Sequence, residues 1–363
     1  MQIDFHHTVT YVAARLAGFG HEDASVVAYC AQYVDDATNG GVIHFDTGAM
    51  YSRVASAHKT LDYKNFKSLA NHHVWIPFHF LPGNGGMKAG EKGSLSFAER
   101  IVCRPDSPVA RDMIRACIEA RDEPGNLHRL GITMHVYADT WAHQGFSGIT
   151  DEANDVEIVE GEEEEERGLK ARLARFFGDA FDRVANRLVG DVLPLGHGAA
   201  LSWPDLPYLT WSYERKGKIV ERDNTEDFVA AANEMCKAMR RYRAGSPDAK
   251  VVGLPAADKA TIRDLFIATN EKDSEKRHRT WLEAIGRGDF SFPAVDLAYR
   301  GKGKASWKYL ALQTARKKDR RNEIFPYSES FMERDWKLFH DSLQAHRFAV
   351  LREILPRYGI CAA

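Results

Sequence analysis

LHRLGITMHVYADTWAHQGF, residues 127–146, is the stretch whose reading decides the fold. Leu130, Ile132, Met134, Val136, Trp141 and Phe146 make it apolar on several sides, as befits a helix at the centre of a bundle. Pro124-Gly125-Asn126 breaks the chain just before it, so the pattern predicts a helix from about Leu127 to Gly145. His135, Asp139 and His143 recur along it at steps of four. On an α-helix such steps rotate by about 40°, which puts all three side chains on one stripe. His135 and His143 then stand about 12 Å apart, too far for one tetrahedral ion. Neighbouring pairs can each reach a shared ion, and Asp139 in the middle can bridge two. A carboxylate inside an apolar helix is costly unless a partner or a cation compensates it. The trio therefore points to metal ligation.

Outward from this helix the periodicity stays helical. The expected helices are His7 to Ala17, Glu22 to Thr38, Ser107 to Asp122, Leu169 to Val189, Glu226 to Arg243, Asp258 to Glu271, Ser274 to Ile285, Ser306 to Asp319 and Ser328 to Ile354. Val42 to Phe45 and Val74 to Phe80 read as short strands. No alternation of strands and helices supports a parallel sheet, and the expected class is all-α with long functional loops. The acidic run DEANDVEIVEGEEEEER, residues 151–167, repels itself and reads as an exposed loop. The expected organisation is a metal-site helical core over 1–210 and a C-terminal helical part over 211–363, either packed into the same domain or separate.

Composition bounds the function. A chain of 363 residues with 44% hydrophobic and 28% charged residues is neither disordered nor a small disulfide scaffold. Its net charge of −2 supplies no global field for nucleic acid or an anionic membrane. The basic clusters Lys276, Arg277, Arg279 and Lys317, Lys318, Arg320, Arg321 have acidic neighbours and read as solvated helix faces, so no nucleic-acid partner is expected. No apolar stretch is long enough for a transmembrane segment. The start, MQIDFHHTVTYV, lacks the cationic region of a signal peptide. Five scattered cysteines without a C-x-x-C pair read as buried thiols, which fits a cytoplasmic location. Phe331, Trp336, Phe339 and Leu343 in the second half suit either a cap over the site or a homo-oligomer contact.

Histidine usage places the chemistry in the first half, since only His278, His340 and His346 follow His197. His6 and His7 lie in DFHH, and Gln32, Asp35 and Asp36 in AYCAQYVDDA. His79 sits between Phe78 and Phe80, and His197 between two glycines with Asp205 eight residues on. The expected metal ligands are His6 (or His7), Asp35, His79, His135, Asp139, His143 and His197, with Asp36 as a candidate catalytic carboxylate. Imidazoles and carboxylates without thiolate suit zinc, iron or manganese. More than one such ion favours hydrolysis, one acidifying water and another stabilising the leaving oxygen. Tyr137, Trp141 and Tyr208 are candidates to line a substrate cleft.

The helix LGITMHVYADTWAHQGF resembles the H-x3-D helix of the zinc-dependent phospholipase C and P1-nuclease superfamily. That resemblance implies an all-α fold, a cluster of zinc ions and hydrolysis of a small-molecule or lipid phosphoester. It implies that His135 and Asp139 are helix ligands, Asp139 bridging, and that His143 follows them in the set. It further implies His197, Asp35 and His6 or His7 as the ligands from other segments. Through DFHH…LAGF, QYVDDA, FHFLPG and GHG…PDLPY the whole chain also resembles a bacterial family without an established activity. An HD-type phosphohydrolase is the rival enzyme, but its adjacent His-Asp pair occurs only at His340-Asp341. A third reading is a non-catalytic helical protein held together by a structural metal or a buried His/Asp network.

Overall fold

The chain enters as a π-helical turn, Asp4–Val9, that runs into α1, Thr10–Leu16. Helix α2, His21–Asp36, follows, with Glu22 and Asp23 in its first turn where the helix dipole favours negative charge. A hairpin of β1, Gly41–Phe45, and β2, Met50–Arg53, leads to the short α3, Trp75–Phe78. Helix α4, Pro108–Glu119, starts from a Ser107 side-chain cap with proline at its first position. Helix α5 is Asn126–Ala142, and nearly all of it is buried. The computed structural model describes residues 1–57, 72–149, 151, 154–160, 200, 202–316, 320 and 323–362.

Helix α5 is the axis of the molecule. It packs against α2, against α6 (Asn224–Ala244) and against α10 (Asp335–Phe348). Gly131 is what lets α2 come so close: a Cβ there would stand 2.4 Å from the Val27 carbonyl oxygen and 2.5 Å from Cys30 Cβ. Helices α7 (Ala256–Ala268) and α8 (Ser274–Arg287) extend the bundle beside the N-terminal turn, and α9 (Trp307–Leu312) leans on α10. The largest apolar cluster draws on both halves of the chain, including Val12, Met134, Phe228, Trp281 and Ile354. Phe331, Trp336, Phe339 and Leu343 are buried within a second cluster. No helix among the described residues is long and apolar enough to cross a membrane.

The all-α expectation is corrected. The fold is 54% helical with 9% strand, a mainly helical mixture of helices and sheets. One sheet has the order β2-β1-β6, with β6 (Ile324–Phe325) parallel to β1. The other has the order β3-β4-β5, from Glu157–Glu160, Thr210–Arg215 and Lys218–Asp223. Lys216 and Gly217 both take positive φ, 50° and 74°, the geometry of a two-residue hairpin loop between twisted strands. Trp211 and Tyr213 on β4 pack with Phe80, Phe146 and Trp203.

Two local expectations also change. Val74 to Phe80 is not a strand, because Pro77 falls in the first turn of α3, where a missing N–H is tolerated. Part of the acidic run is strand rather than loop, Glu157–Glu160 pairing with β4. The remainder of that run from 161, the expected helix at 169–189 and His197 lie outside the described residues.

Candidate metal centre

The stripe on α5 meets three other segments. His135 and Asp139 project from the helix interior, and His143 is the residue that closes its last turn. The π-helical turn supplies His6, whose ring stacks on His135 with centroids 3.8 Å apart. Such turns are frequent at functional sites. The end of α2 supplies Asp35, and the residue after α3 is His79.

The two oxygens of Asp139 face different donors. Oδ1 lies 3.2 Å from His6 Nε2 and 2.7 Å from the Met1 amino group. Oδ2 lies 3.3 Å from His135 Nε2, 3.4 Å from His79 Nδ1 and 3.6 Å from His143 Nδ1. Asp35 Oδ1 is 3.8 Å from His79 Nδ1 and 3.9 Å from His135 Nε2. His143 Nε2 and the Met1 amine both approach Asp205 Oδ1, at 3.6 and 3.0 Å.

Backbone carbonyls fix the tautomers. His135 Nδ1 donates to Ala31 O at 2.7 Å and His79 Nε2 donates to Ser56 O at 2.9 Å, because a carbonyl can only accept. Rings so anchored turn their second nitrogens inward, where His135 Nε2 and His79 Nδ1 are 3.3 Å apart. A carboxylate oxygen and two ring nitrogens thus converge. Asp139 Oδ2 and both nitrogens of His6 are buried without a hydrogen bond. An N/O donor set with outer nitrogens anchored in this way is how histidines are prepared for a metal ion.

Charge balance points the same way. Burial alone would raise the pKa of Asp139, but His143, the Met1 amine, His135 and His6 hold it well below the usual carboxylate range. Burial works against charge on His79, yet Asp139 and Asp35 push its pKa up, so in the ion-free protein a proton answers the same demand. Burial lowers the Met1 amine, and Asp139, Asp205 and Asp35 outweigh it to hold the pKa at about 11. Asp35 and Asp36 both occupy the last turn of α2, where the helix dipole disfavours negative charge. Asp36 is compensated by Lys302 Nζ at 3.0 Å and the Tyr299 hydroxyl at 2.7 Å. Asp35 has the imidazoles.

Six of the expected site residues, His6, Asp35, His79, His135, Asp139 and His143, therefore come together. Two three-residue sets within them, His6/His135/Asp139 and Asp35/His79/His135, have ligand atoms close enough to hold an ion. Asp36 faces Tyr299 and Lys302 instead of the centre, and His7 Nδ1 pairs with His278 Nε2 at 2.9 Å. Tyr137 and Trp141 are core residues rather than cleft lining. His340 is buried beside Trp336, away from the centre, and Asp341 binds the Tyr51 hydroxyl. Asp205 is the carboxylate that joins them, its Oδ1 lying 3.6 Å from His143 Nε2.

Fold and centre define a mainly helical protein with an internal histidine–carboxylate cluster. The chain belongs to a family of unknown function, DUF6765, whose model matches residues 1–354. No curated protein and no solved structure matches it.

Proposed function

We propose that the protein is a metal-dependent hydrolase of a phosphoester, with zinc, iron or manganese held by His6, Asp35, His79, His135, Asp139 and His143. The observation that carries this reading is the division of Asp139: its two oxygens address separate donor groups, as a bridging carboxylate requires. The resemblance of the α5 helix to the phospholipase C and P1-nuclease superfamily supports the same chemistry. When bound, divalent ions of this kind acidify water and polarise a phosphoryl oxygen. The chain's own part is to fix the donors. Ala31 O and Ser56 O orient the rings of His135 and His79, and the buried bundle around α5 keeps bulk water away from all members but Asp35.

The reading is tested by metal analysis of the purified protein together with hydrolysis of p-nitrophenyl phosphate and bis(p-nitrophenyl) phosphate. Bound transition metal above about half an equivalent, and turnover abolished by a chelator and restored by metal, supports it. Metal without turnover on either ester, or on a wider panel, favours the second reading, a centre that only ties helices together. That alternative draws on one observation, the near-complete burial of five of the six proposed ligands.

A further inference from the structure

Access to the centre restricts what can reach it. His6, His79, His135, Asp139 and His143 are buried, whereas the Asp35 side chain is 33% exposed. Asp35 opens on a cavity of about 960 Å³, walled by the first residues of the chain, the start of α8 and the strap 297–302. That volume lies at the upper end of the range for small-molecule sites. Tyr299 and Lys302 bind Asp36, which ties the strap to α2 and neutralises the Lys302 charge. Arg279 and Arg300 line the same cavity, and among the described residues neither guanidinium makes an ion pair or hydrogen bond. Glu275 is the lining carboxylate besides Asp35 and Asp36.

We propose that this cavity is the substrate entrance and that Arg279 and Arg300 hold the anionic group of a small water-soluble phosphate ester in it. The inference rests on reading the cluster as a metal centre. Exposed arginines without partners are ordinary on a protein surface. Here they share a cavity with the most exposed of the proposed ligands, and a guanidinium fork matches the oxygens of a phosphate. With Asp36 neutralised and Asp35 committed to the cluster, the remaining cavity charge is two cations against Glu275. The cavity therefore favours a dianion over a neutral or cationic ligand.

Titration calorimetry with inorganic pyrophosphate tests this on the full-length protein as purified, with bound metal measured on each sample. R279Q/R300Q is expected to weaken binding by about tenfold or more with the metal content unchanged. E275Q is expected to tighten it by a few-fold, the opposite sign, which a general loss of folding cannot mimic. Equal affinity in wild type and R279Q/R300Q, or no binding by wild type, overturns the proposal. Arginine-dependent binding by protein that holds no metal leaves the anion site standing and overturns the metal reading instead. Vesicles of phosphatidylcholine containing phosphatidic acid form the last arm. Wild-type protein is expected to stay in the supernatant, and sedimentation that R279Q/R300Q abolishes would overturn the assignment to a soluble ester.

Discussion

Two buried polar regions sit side by side on the N-terminal turn, and they are built on opposite principles. Two residues before His6, Asp4 meets Arg277 of α8 in a desolvated ion pair, with Nε to Oδ2 at 2.6 Å and Nη2 to Oδ1 at 3.2 Å. The remaining guanidinium donors reach Gln2 Oε1 and the carbonyls of Glu271 and Lys272 at 2.6 to 3.1 Å. All five N–H groups of a guanidinium are thereby used. The Asp139 cluster is the reverse. Its carboxylate oxygen and inward nitrogens face one another, and Asp139 Oδ2 and the His6 ring lack hydrogen bonds. The first region is closed and anchors the segment; the second leaves Asp139 Oδ2 open to the cation we propose. Burial is common to both, so burial alone does not mark a functional site.

Breaking the closed region should have the largest effect on stability. Arg277→Met leaves Asp4 buried and uncompensated, and the expected loss is about 3–5 kcal/mol in chemical denaturation. A loss below about 1 kcal/mol would mean that the pair is not desolvated as described.

Asp139→Asn attacks the open region. It removes the bridging charge while keeping the shape, and metal affinity is expected to fall by more than the ~10–100-fold typical of a supporting residue. Competition with a chromogenic chelator measures it. Unchanged affinity in a folded variant would remove Asp139 from the ligand set.

Acid sharpens the comparison through histidines outside the cluster. Burial lowers His278 to about 4 and His340 and His346 to about 3, from the usual 6.5. Below pH 6.5 the unfolded chain takes up protons that the folded one refuses, so stability falls as pH drops towards 4 and is insensitive to these groups above 6.5. Each contributes a slope of about 1.4 kcal/mol per pH unit within that window. Denaturation of chelator-treated protein between pH 7 and pH 4.5 checks this apart from metal release, and a flat profile would contradict the buried neutral rings.

The contrast also explains what the sequence could and could not disclose. The α5 stripe was legible because a step of four is a local rule, and so were most of the described helices. Ser306 to Asp319, however, is described as helix only over Trp307–Leu312, and Ser328 to Ile354 breaks into a 3-10 turn, α10 and a π-helical turn. Asp35 and His79 were legible as residue types, but their meeting at His135 depends on how closely α2 approaches at Gly131, a tertiary fact. Arg277 lies in a run that reads as a solvated basic face, yet it is fully buried, because its partner Asp4 is 273 positions away. Strand β1 matches the expectation at Val42 to Phe45, whereas the β3-β4-β5 sheet was missed for a related reason. The apolar face of the β4–β5 hairpin is small, Trp211, Tyr213 and Val220, and the Lys216-Gly217 turn is a weak signal beside strong helical periodicity. The strand expected at Val74 to Phe80 failed because an apolar run of that length does not distinguish strand from buried helix.

The proposed cation at the Asp139 cluster is measured most directly by metal stoichiometry, using plasma mass spectrometry on protein purified without chelators or a polyhistidine tag. The expected result is between about half an equivalent and two equivalents of zinc, iron or manganese per chain, retained through dialysis. Metal below about a tenth of an equivalent, with no uptake when zinc, iron(II) or manganese is supplied, would contradict the account and leave a proton-bridged histidine–carboxylate network in its place.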